Sequence, residues 1–254
     1  MHPVAPVTIL TGASRGLGLA IAKQLLDQGH RLLTLQRVPN PELEHSDHPA
    51  ALIEQWSVDL TSPLEVARRL QDWVAALARE SVSELNLINN AALLVEPGPL
   101  ADADFTAISQ SSRAGLEAPL LLSAAFLHAS ADLDVPRKIL NISSGLGRYA
   151  MAGSAVYCAI KAGMDHYSRS LALEEAARPH GAGIVSLAPG VIDTDMQIQL
   201  RGANPGAFPE QKRFAGLKSE GQLSSPDAAA ARVIAYLKRP DFGKTVVADA
   251  RDPA

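Results

Sequence analysis

Short runs rich in Val, Ile and Leu alternate along the chain with longer segments rich in Ala and Leu. Short apolar runs are typical of buried strands, and longer segments with an apolar stripe are typical of helices. We predict strands at Val7–Leu10, Arg31–Gln36, Gln55–Val58, Leu85–Asn89, Lys138–Ile142, Gly183–Ala188 and Thr245–Val247. We predict helices at Leu17–Gln28, Leu64–Arg79, Phe105–Ala129, Ala155–Ala177 and Asp227–Lys238. Strands that alternate with helices indicate βαβ units, so we predict an α/β protein with a mostly parallel sheet.

The domain organisation follows from what the chain lacks. No internal repeat and no Ser/Gly-rich linker marks a boundary, so we predict a single domain over residues 1–254. Two stretches look irregular, Val38–Pro49 and Asp193–Ser225. A loop as long as the second is usually functional, and its apolar residues, Met196 among them, suit a substrate lid over residues 193–225. The alternative is a surface excursion with a short helix of its own.

Composition and charge exclude several classes of protein. With 47% hydrophobic residues and a formal net charge of −4, the chain resembles ordinary globular proteins and lacks the basic balance of a nucleic-acid binder. Cys158 is the only cysteine, which excludes an internal disulfide framework and fits a reducing, cytoplasmic compartment. No apolar run reaches the ~18 residues of a membrane span, and Met1 to Pro6 lack the basic start of a signal peptide. We therefore expect neither a nucleic-acid nor a membrane partner.

One group of potential metal ligands lies in the first irregular stretch. His45 and His48 stand close to Glu44 and Asp47. This Pro-rich segment offers no third spaced ligand, so we interpret it as a solvated turn and predict no metal site.

A glycine-rich turn follows the first predicted strand and opens the first helix. Its sequence is Thr11-Gly12-Ala13-Ser14-Arg15-Gly16-Leu17-Gly18. Glycines let the backbone turn sharply and approach a pyrophosphate, which then lies on the N-terminus of the helix. The position of this turn in the first βα unit predicts a dinucleotide cofactor, and the alternative is a tight turn without a ligand.

The Gly-x3-Gly-x-Gly spacing resembles that of the short-chain dehydrogenase/reductase family. Three later segments also resemble family motifs and come in the right order: Asp59-Leu60, Asn89-Asn90-Ala91-Ala92, and Pro189-Gly190 with Thr194. The resemblance implies a doubly wound Rossmann-type domain with helices on both faces of a seven-stranded sheet, in the order 3-2-1-4-5-6-7. It also implies a set of cofactor-binding residues: Gly12, Ser14, Arg15, Gly16, Leu17, Gly18, Asp59, Leu60, Asn90, Ala91, Pro189, Gly190 and Thr194.

The end of the second strand bears on which nicotinamide cofactor is used. An NAD site usually has an acid there, which binds the ribose hydroxyls and would repel a 2′-phosphate. Here Leu35 is followed by Gln36 and Arg37, and Arg15 lies in the glycine turn. Two guanidinium groups can bind a phosphate through charge-assisted hydrogen bonds, so we predict NADP(H), with Arg37 as a further cofactor-binding residue.

A candidate catalytic pair lies on the fourth predicted helix. Tyr157 and Lys161 are four residues apart and share one helix face. A nearby ammonium favours the phenolate, so Lys161 is expected to lower the pKa of Tyr157 and make it a usable acid or base. Ser144 lies 13 residues before Tyr157, the separation of the family's serine, and Ser143 is one residue off that register. The resemblance implies that Tyr157 donates the proton, Lys161 binds the nicotinamide ribose and Ser144 holds the carbonyl.

One position departs from the family pattern. The family commonly has an asparagine four residues before a position like Pro119, where it helps to hold a water that links Lys161 to solvent. Gly115 stands there in this chain. Either the relay survives through the backbone carbonyl and water, or activity is reduced.

Three segments of the last third are Pro189–Gln197, Leu217–Leu223 followed by Ser225-Pro226, and Phe242–Asp249. They resemble the corresponding segments of the sepiapterin reductases and bacterial benzil reductases within the family. This resemblance implies reduction of a ketone or vicinal dicarbonyl, with Met196 and Asp249 as substrate residues. It also implies a homodimer or homotetramer formed through the helices at Phe105–Ala129 and Ala155–Ala177. Two alternatives remain: an NADP(H)-binding sensor with little turnover, because of Gly115, and an alcohol dehydrogenase that works in the oxidising direction.

Overall fold

The strands form one sheet in the computed structural model, which describes residues 4–44 and 47–252, so that His45 lies outside the described residues. They are β1 (Ala5–Thr11), β2 (Arg31–Gln36), β3 (Leu52–Ser57), β4 (Val82–Asn89), β5 (Arg137–Ile142), β6 (Gly183–Ala188) and β7 (Val247–Asp249). Their order is β3-β2-β1-β4-β5-β6-β7, and every neighbouring pair is parallel. The predicted α/β fold and strand order are confirmed.

The helices cover both faces of this sheet. They are α1 (Gly16–Asp27), α2 (Pro63–Ala75), α3 (Phe105–Ser112), α4 (Ala118–Ala129), α5 (Ala155–Ala176), α6 (Asp195–Gly202), α7 (Gln211–Ser219) and α8 (Pro226–Leu237). Successive strand residues point to opposite faces, so Ile9 packs in the core under α2 and α4, whereas Leu10 packs under α1 and α8. None of the helices within the described residues is long and apolar enough to cross a bilayer.

The predicted helix over Phe105–Ala129 is interrupted. A π-helical turn at Arg113–Glu117 separates α3 from α4. Pro119 has no N–H to donate to the carbonyl of Gly115, the acceptor it would use in an α-helix, and π-turns arise where this ladder is broken. Apolar residues continue through the turn, which is why the sequence pattern alone predicts one helix.

The stretch Asp193–Ser225, which looks irregular in sequence, is largely helical, and the alternative of an excursion with a short helix of its own is nearer to the structure. It contains α6 and α7, and its two ends are joined by a bridge between Ile192 and Ser224. Phe208 is fully buried in a small apolar cluster of its own, where its ring stacks on that of Phe214 at 5.8 Å between centroids. The Gly and Pro residues of the segment are typical of loops, so the sequence pattern does not predict these two short helices. Burial of Phe208 stabilises them. Whether the segment acts as a lid stays a prediction.

The last strand lies two residues later than predicted. β7 pairs with β6 from Val247 opposite Ser186 to Asp249 opposite Ala188. This register places Asp249 at the carboxyl end of the strand, the edge at which ligands bind in open α/β sheets.

Candidate active site

The glycine turn closes tightly at the carboxyl end of β1. Gly12 and Gly16 have φ angles of +74° and +56°, which side chains rarely allow. A Cβ on Gly18 would lie 2.0 Å from the carbonyl oxygen of Gly12, so only glycine permits the contact between turn and helix. Among the described residues no side chain caps the N-terminus of α1 at Arg15, which leaves the first N–H groups of the helix for an anion.

Asn90 braces this turn from the end of β4. Its amide Nδ2 donates to the carbonyl oxygens of Thr11 at 3.0 Å and Gly12 at 3.1 Å. The hydroxyl of Thr11 in turn accepts from the backbone N–H groups of Asn90 and Ala91, each at 2.9 Å. The side chain of Asn90 is therefore occupied in positioning the backbone that would face a cofactor.

A cleft of about 1220 Å³ opens beside the turn, at the carboxyl ends of β1 to β4. Its size exceeds that of a typical drug-sized pocket and fits a dinucleotide, and the open N-terminus of α1 faces it. The predicted residues that line it are Gly12, Ser14, Arg15, Gly16, Leu17, Gly18, Arg37, Asp59, Leu60, Asn90, Ala91, Thr194 and Met196. Pro189 and Gly190 are not in this lining; a Cβ on Gly190 would lie 3.3 Å from Cδ of Arg251.

Two arginines stand at the mouth of the cleft. Arg37 is exposed at the end of β2, after Gln36, which is buried and donates to Gln55 at 2.9 Å. Arg15 forms an ion pair with Asp195 of α6, with 2.8 Å between Nη1 and Oδ2, and both side chains are mostly exposed. The glycine turn is thus linked to the segment over residues 193–225 across the cleft.

Asp59, at the end of β3, borders the same cleft. Its carboxylate accepts the backbone N–H of Thr61 at 2.9 Å, and this hydrogen bond holds the pKa of Asp59 below its usual value. The group is therefore an anionic acceptor at neutral pH.

Ser144, Tyr157 and Lys161 meet where α5 passes the end of β5. The side chains of Ser144 and Tyr157 interact, and Nζ of Lys161 lies 5.6 Å from the centroid of the Tyr157 ring. Nζ of Lys161 also donates to the carbonyl of Ile142 at 2.7 Å. Ser143 points elsewhere, since its hydroxyl donates to Asp165 at 2.6 Å. Of the two serines, Ser144 is the one that faces Tyr157.

Burial controls the charge of this cluster. Burial raises the pKa of Tyr157 to about 12, although the hydrogen bond with Ser144 acts in the opposite direction. Burial likewise lowers the pKa of Lys161 to about 8, against the attraction of Asp165. The expectation that Lys161 lowers the pKa of Tyr157 is therefore not met: desolvation is the larger effect.

The π-turn brings Gly115 against α5. Gly115 is buried, and a Cβ there would lie 2.8 Å from Cγ2 of Ile160, the residue before Lys161. Ile160 thus occupies the space that a side chain at position 115 would need. The backbone carbonyl of Gly115 has no α-helical donor at Pro119, and a role of this carbonyl in a water relay stays a prediction.

Asp249 is bound by its own neighbour. Its carboxylate accepts from the backbone N–H of Arg251 at 2.9 Å and from the guanidinium at 2.8 and 2.6 Å. These hydrogen bonds hold the pKa of Asp249 below its usual value. Asp249 is not in the lining of the large cleft, and a role in substrate binding stays a prediction.

Sequence reasoning missed Asp165. This residue is buried on α5 and contacts Ser143 from β5 and Ser186 from β6. The available signal was its position four residues after Lys161, on the same helix face.

Comparisons with known proteins agree with the fold and the motifs. The short chain dehydrogenase family matches over residues 6–205. The chain is 32% identical over 241 residues to benzil reductase ((S)-benzoin forming) of Bacillus cereus. This aligned region covers 92% of this chain and 94% of that protein. The chain is also 32% identical over 248 residues to sepiapterin reductase of Meriones unguiculatus, spanning 93% and 92%.

A solved structure gives the same answer. The crystal structure of the KRED1-Pglu enzyme superposes with a TM-score of 0.78 at 26% identity, covering 95% of this chain and 99% of that one. The three comparisons agree with one another: the family model, the relatives along nearly the whole chain and the solved structure all match. The chain belongs to the short-chain dehydrogenase family and is an oxidoreductase.

Proposed function

We propose that this protein reduces a ketone or a vicinal dicarbonyl to the hydroxy compound with NADPH. The close grouping of Ser144, Tyr157 and Lys161 is the observation that carries the proposal. The benzil and sepiapterin reductases to which the chain is similar support the substrate class.

The roles of Tyr157 and Ser144 follow from their hydroxyl groups. A tyrosine whose pKa is raised to about 12 stays protonated at neutral pH and is a proton donor. NADPH held in the cleft would supply the hydride to the carbonyl carbon. Tyr157 donates its proton to the carbonyl oxygen, which becomes the new hydroxyl, while Ser144 donates a hydrogen bond to that oxygen and stabilises its developing negative charge.

Lys161 stabilises the phenolate that Tyr157 becomes. Its ammonium carries three donors; one binds the carbonyl of Ile142, another lies 3.9 Å from Sδ of Met164, and the remaining one would serve the ribose of the cofactor or a water. The carbonyl of Gly115 can hold that water, and a proton from solvent then returns to Tyr157. In this proposal the relay does not need an asparagine side chain.

The preference for NADPH rests on Arg37 and Arg15. Both line the cleft, and the acid that would repel a 2′-phosphate is absent from the end of β2. Guanidinium groups bind phosphate through two parallel hydrogen bonds, which a ribose hydroxyl cannot offer. An enzyme that uses NADPH in cells works mainly as a reductase, so the oxidising alternative is disfavoured.

The lining beside Tyr157 is mixed, with Glu96 and Ser154 among mostly apolar residues. A small pocket next to Tyr157 is lined by Leu94, Val95 and Val156 among others, and Met196 borders the large cleft nearby. We propose that these residues receive an apolar or aromatic group of the substrate, beneath the segment over residues 193–225 as a lid.

Assembly and location complete the proposal. Phe105 and Leu120 are 85% and 43% exposed along α3 and α4, and Leu173 on α5 is 76% exposed. Burial of these side chains favours a homodimer or homotetramer formed through these helices. The unpaired Cys158 suits the cytoplasm.

Oxidation of NADPH by the purified protein tests the proposal. Benzil, a small aliphatic diketone and sepiapterin are offered to the wild type and to Tyr157→Phe, and we expect turnover that the variant loses. Tight binding of NADPH without turnover on any of the three would instead favour the sensor alternative.

A further inference from the structure

A buried carboxylate links three elements behind the candidate site. Asp165 on α5 is only 1% exposed. Its Oδ1 accepts the hydroxyl of Ser143 from the end of β5 and the hydroxyl of Ser186 from β6, each at 2.6 Å. Such short contacts are typical of hydroxyls that donate to an ionised carboxylate, which is an acceptor only. Asp165 therefore fixes α5 to the two strands whose ends carry Ser144 and Pro189.

The second oxygen of Asp165 faces the segment that follows Ser144. Nε of Arg148 lies 3.7 Å from Oδ2 of Asp165, and its Nη2 donates to the carbonyl of Ala248 at 2.5 Å. A Cβ on Gly147 would lie 2.7 Å from Oδ2 of Asp165, so the backbone at this position must be glycine to pass so close. The segment that carries Ser144 is thus held from Ser143 on one side and from Arg148 on the other.

Charge gives Asp165 a second effect. The charged groups around it are Lys161, one turn earlier on α5, and Arg148 from the loop after β5, while β5 and β6 face it with hydroxyls. Lys161 and Asp165 are buried, whereas the side chain of Arg148 is 31% exposed, so an unpaired ammonium at Lys161 would be costly. Asp165 offsets the loss of hydration that Lys161 suffers.

We propose that Asp165 is a positioning residue that holds the Ser144 segment and keeps Lys161 in its ammonium form. This inference rests on the proposed function, because it assigns a purpose to the charge of Lys161. Asp165 touches neither substrate nor cofactor and acts through Ser143, Arg148 and Lys161.

Titration of Lys161 in the intact chain without cofactor tests the charge effect directly. The lysine side chains are labelled with ¹³C at Cε and followed by NMR against pH, and the resonance of Lys161 is identified by its loss in Lys161→Met. In Asp165→Asn, which preserves the size and one acceptor oxygen, we expect the pKa of Lys161 to fall by about one unit or more. In Arg148→Met, removal of the competing cation should raise it. Ser186→Ala is the matched control, since it removes a hydrogen bond to Asp165 and leaves every charge.

Kinetics separate this inference from the proposed function. In the wild type, dicarbonyl reduction should decline at high pH as Lys161 deprotonates, and this decline should move to lower pH in Asp165→Asn and to higher pH in Arg148→Met. An unchanged pKa of Lys161 in both variants would overturn the inference, whatever the activity. Absence of wild-type turnover would overturn the proposed function and leave the NMR result to stand alone. If Asp165→Asn does not fold, Asp165→Ser, which also removes the charge, is titrated in its place, and an unchanged pKa of Lys161 there overturns the inference.

Discussion

Gly115 and Ile160 pack so closely that a Cβ on the glycine would lie 2.8 Å from Cγ2 of the isoleucine. The contact joins the π-turn at Arg113–Glu117 to α5, next to Lys161. The absence of a side chain at Gly115 leaves no gap, because Ile160, which is 4% exposed, fills the space. The pair fixes the distance between the Gly115 carbonyl and the helix that carries Tyr157 and Lys161.

Restoring the family's asparagine at this position should therefore harm the protein. We expect Gly115→Asn to lower the free energy of unfolding by about 1–3 kcal/mol, because the new side chain overpacks against Ile160. The double variant Gly115→Asn with Ile160→Ala should recover part of that loss, because the smaller side chain makes room for the asparagine. In the wild-type background, Ile160→Ala should only destabilise the protein. Urea unfolding of the wild type, the two single variants and the double variant measures the coupling between positions 115 and 160. Gly115→Asn as stable as the wild type would show that position 115 has room.

Arg37→Glu should abolish the preference for NADPH over NADH. Loss of charge-assisted hydrogen bonds costs roughly 1.5–3 kcal/mol, or about 10- to 100-fold in affinity, and the new carboxylate repels the 2′-phosphate. The ratio of kcat/KM for the two cofactors measures the effect. Arg68→Glu is the control, since Arg68 is exposed on α2 and does not line the cleft. An unchanged ratio in Arg37→Glu would refute the assignment of the 2′-phosphate site.

Asp195→Asn should strengthen the binding of NADPH. Asp195 pairs with Arg15 across the cleft, and an exposed ion pair of this kind is worth about 0.2–1 kcal/mol. Its removal frees Arg15 for the cofactor phosphate, and we expect the Kd of NADPH to fall about two- to fivefold while that of NADH changes little. Fluorescence titration of both cofactors is the measurement. Weaker binding of NADPH would mean that the pair supports the cleft instead of competing with the ligand.

His30 should make the fold sensitive to mild acid. It is 4% exposed, its Nδ1 lies 3.0 Å from the hydroxyl of Thr8, and burial lowers its pKa from 6.5 to about 4. Between these two values the unfolded chain binds the proton and the folded chain does not, so stability contributed by neutral His30 is lost as the pH falls. From pH 7 to pH 5 we expect the free energy of unfolding to fall by about 2 kcal/mol, and His30→Gln should not show this decrease. Equal pH slopes in the two proteins would contradict this.

The parts of the site that sequence could predict are those set by local spacing. The glycine turn must follow β1, and Tyr157 and Lys161 share a helix face whatever surrounds them. The rest depends on contacts between distant segments. α6 and α7 are held by the burial of Phe208, and the π-turn reflects Pro119 together with the packing of Gly115 on Ile160. No local pattern reports such packing.

Electrostatics was the least predictable property. Proximity to Lys161 suggested a lowered pKa for Tyr157, yet desolvation raises it, and the extent of burial is known only from the fold. Asp165 was missed for the same reason, because its partners Ser143, just after β5, and Ser186, on β6, are far apart in sequence.

The central claim is that Tyr157 protonates a carbonyl as it accepts a hydride. Benzil is incubated with the protein and NADPH deuterated at the transferred position, and the product is analysed by mass spectrometry. We predict benzoin with one deuterium on the carbinol carbon from the wild type, and a loss of at least about 100-fold in Tyr157→Phe with an unchanged Kd for NADPH. Wild-type protein that binds NADPH but forms no labelled benzoin, or Tyr157→Phe that forms it at the wild-type rate, would contradict the account.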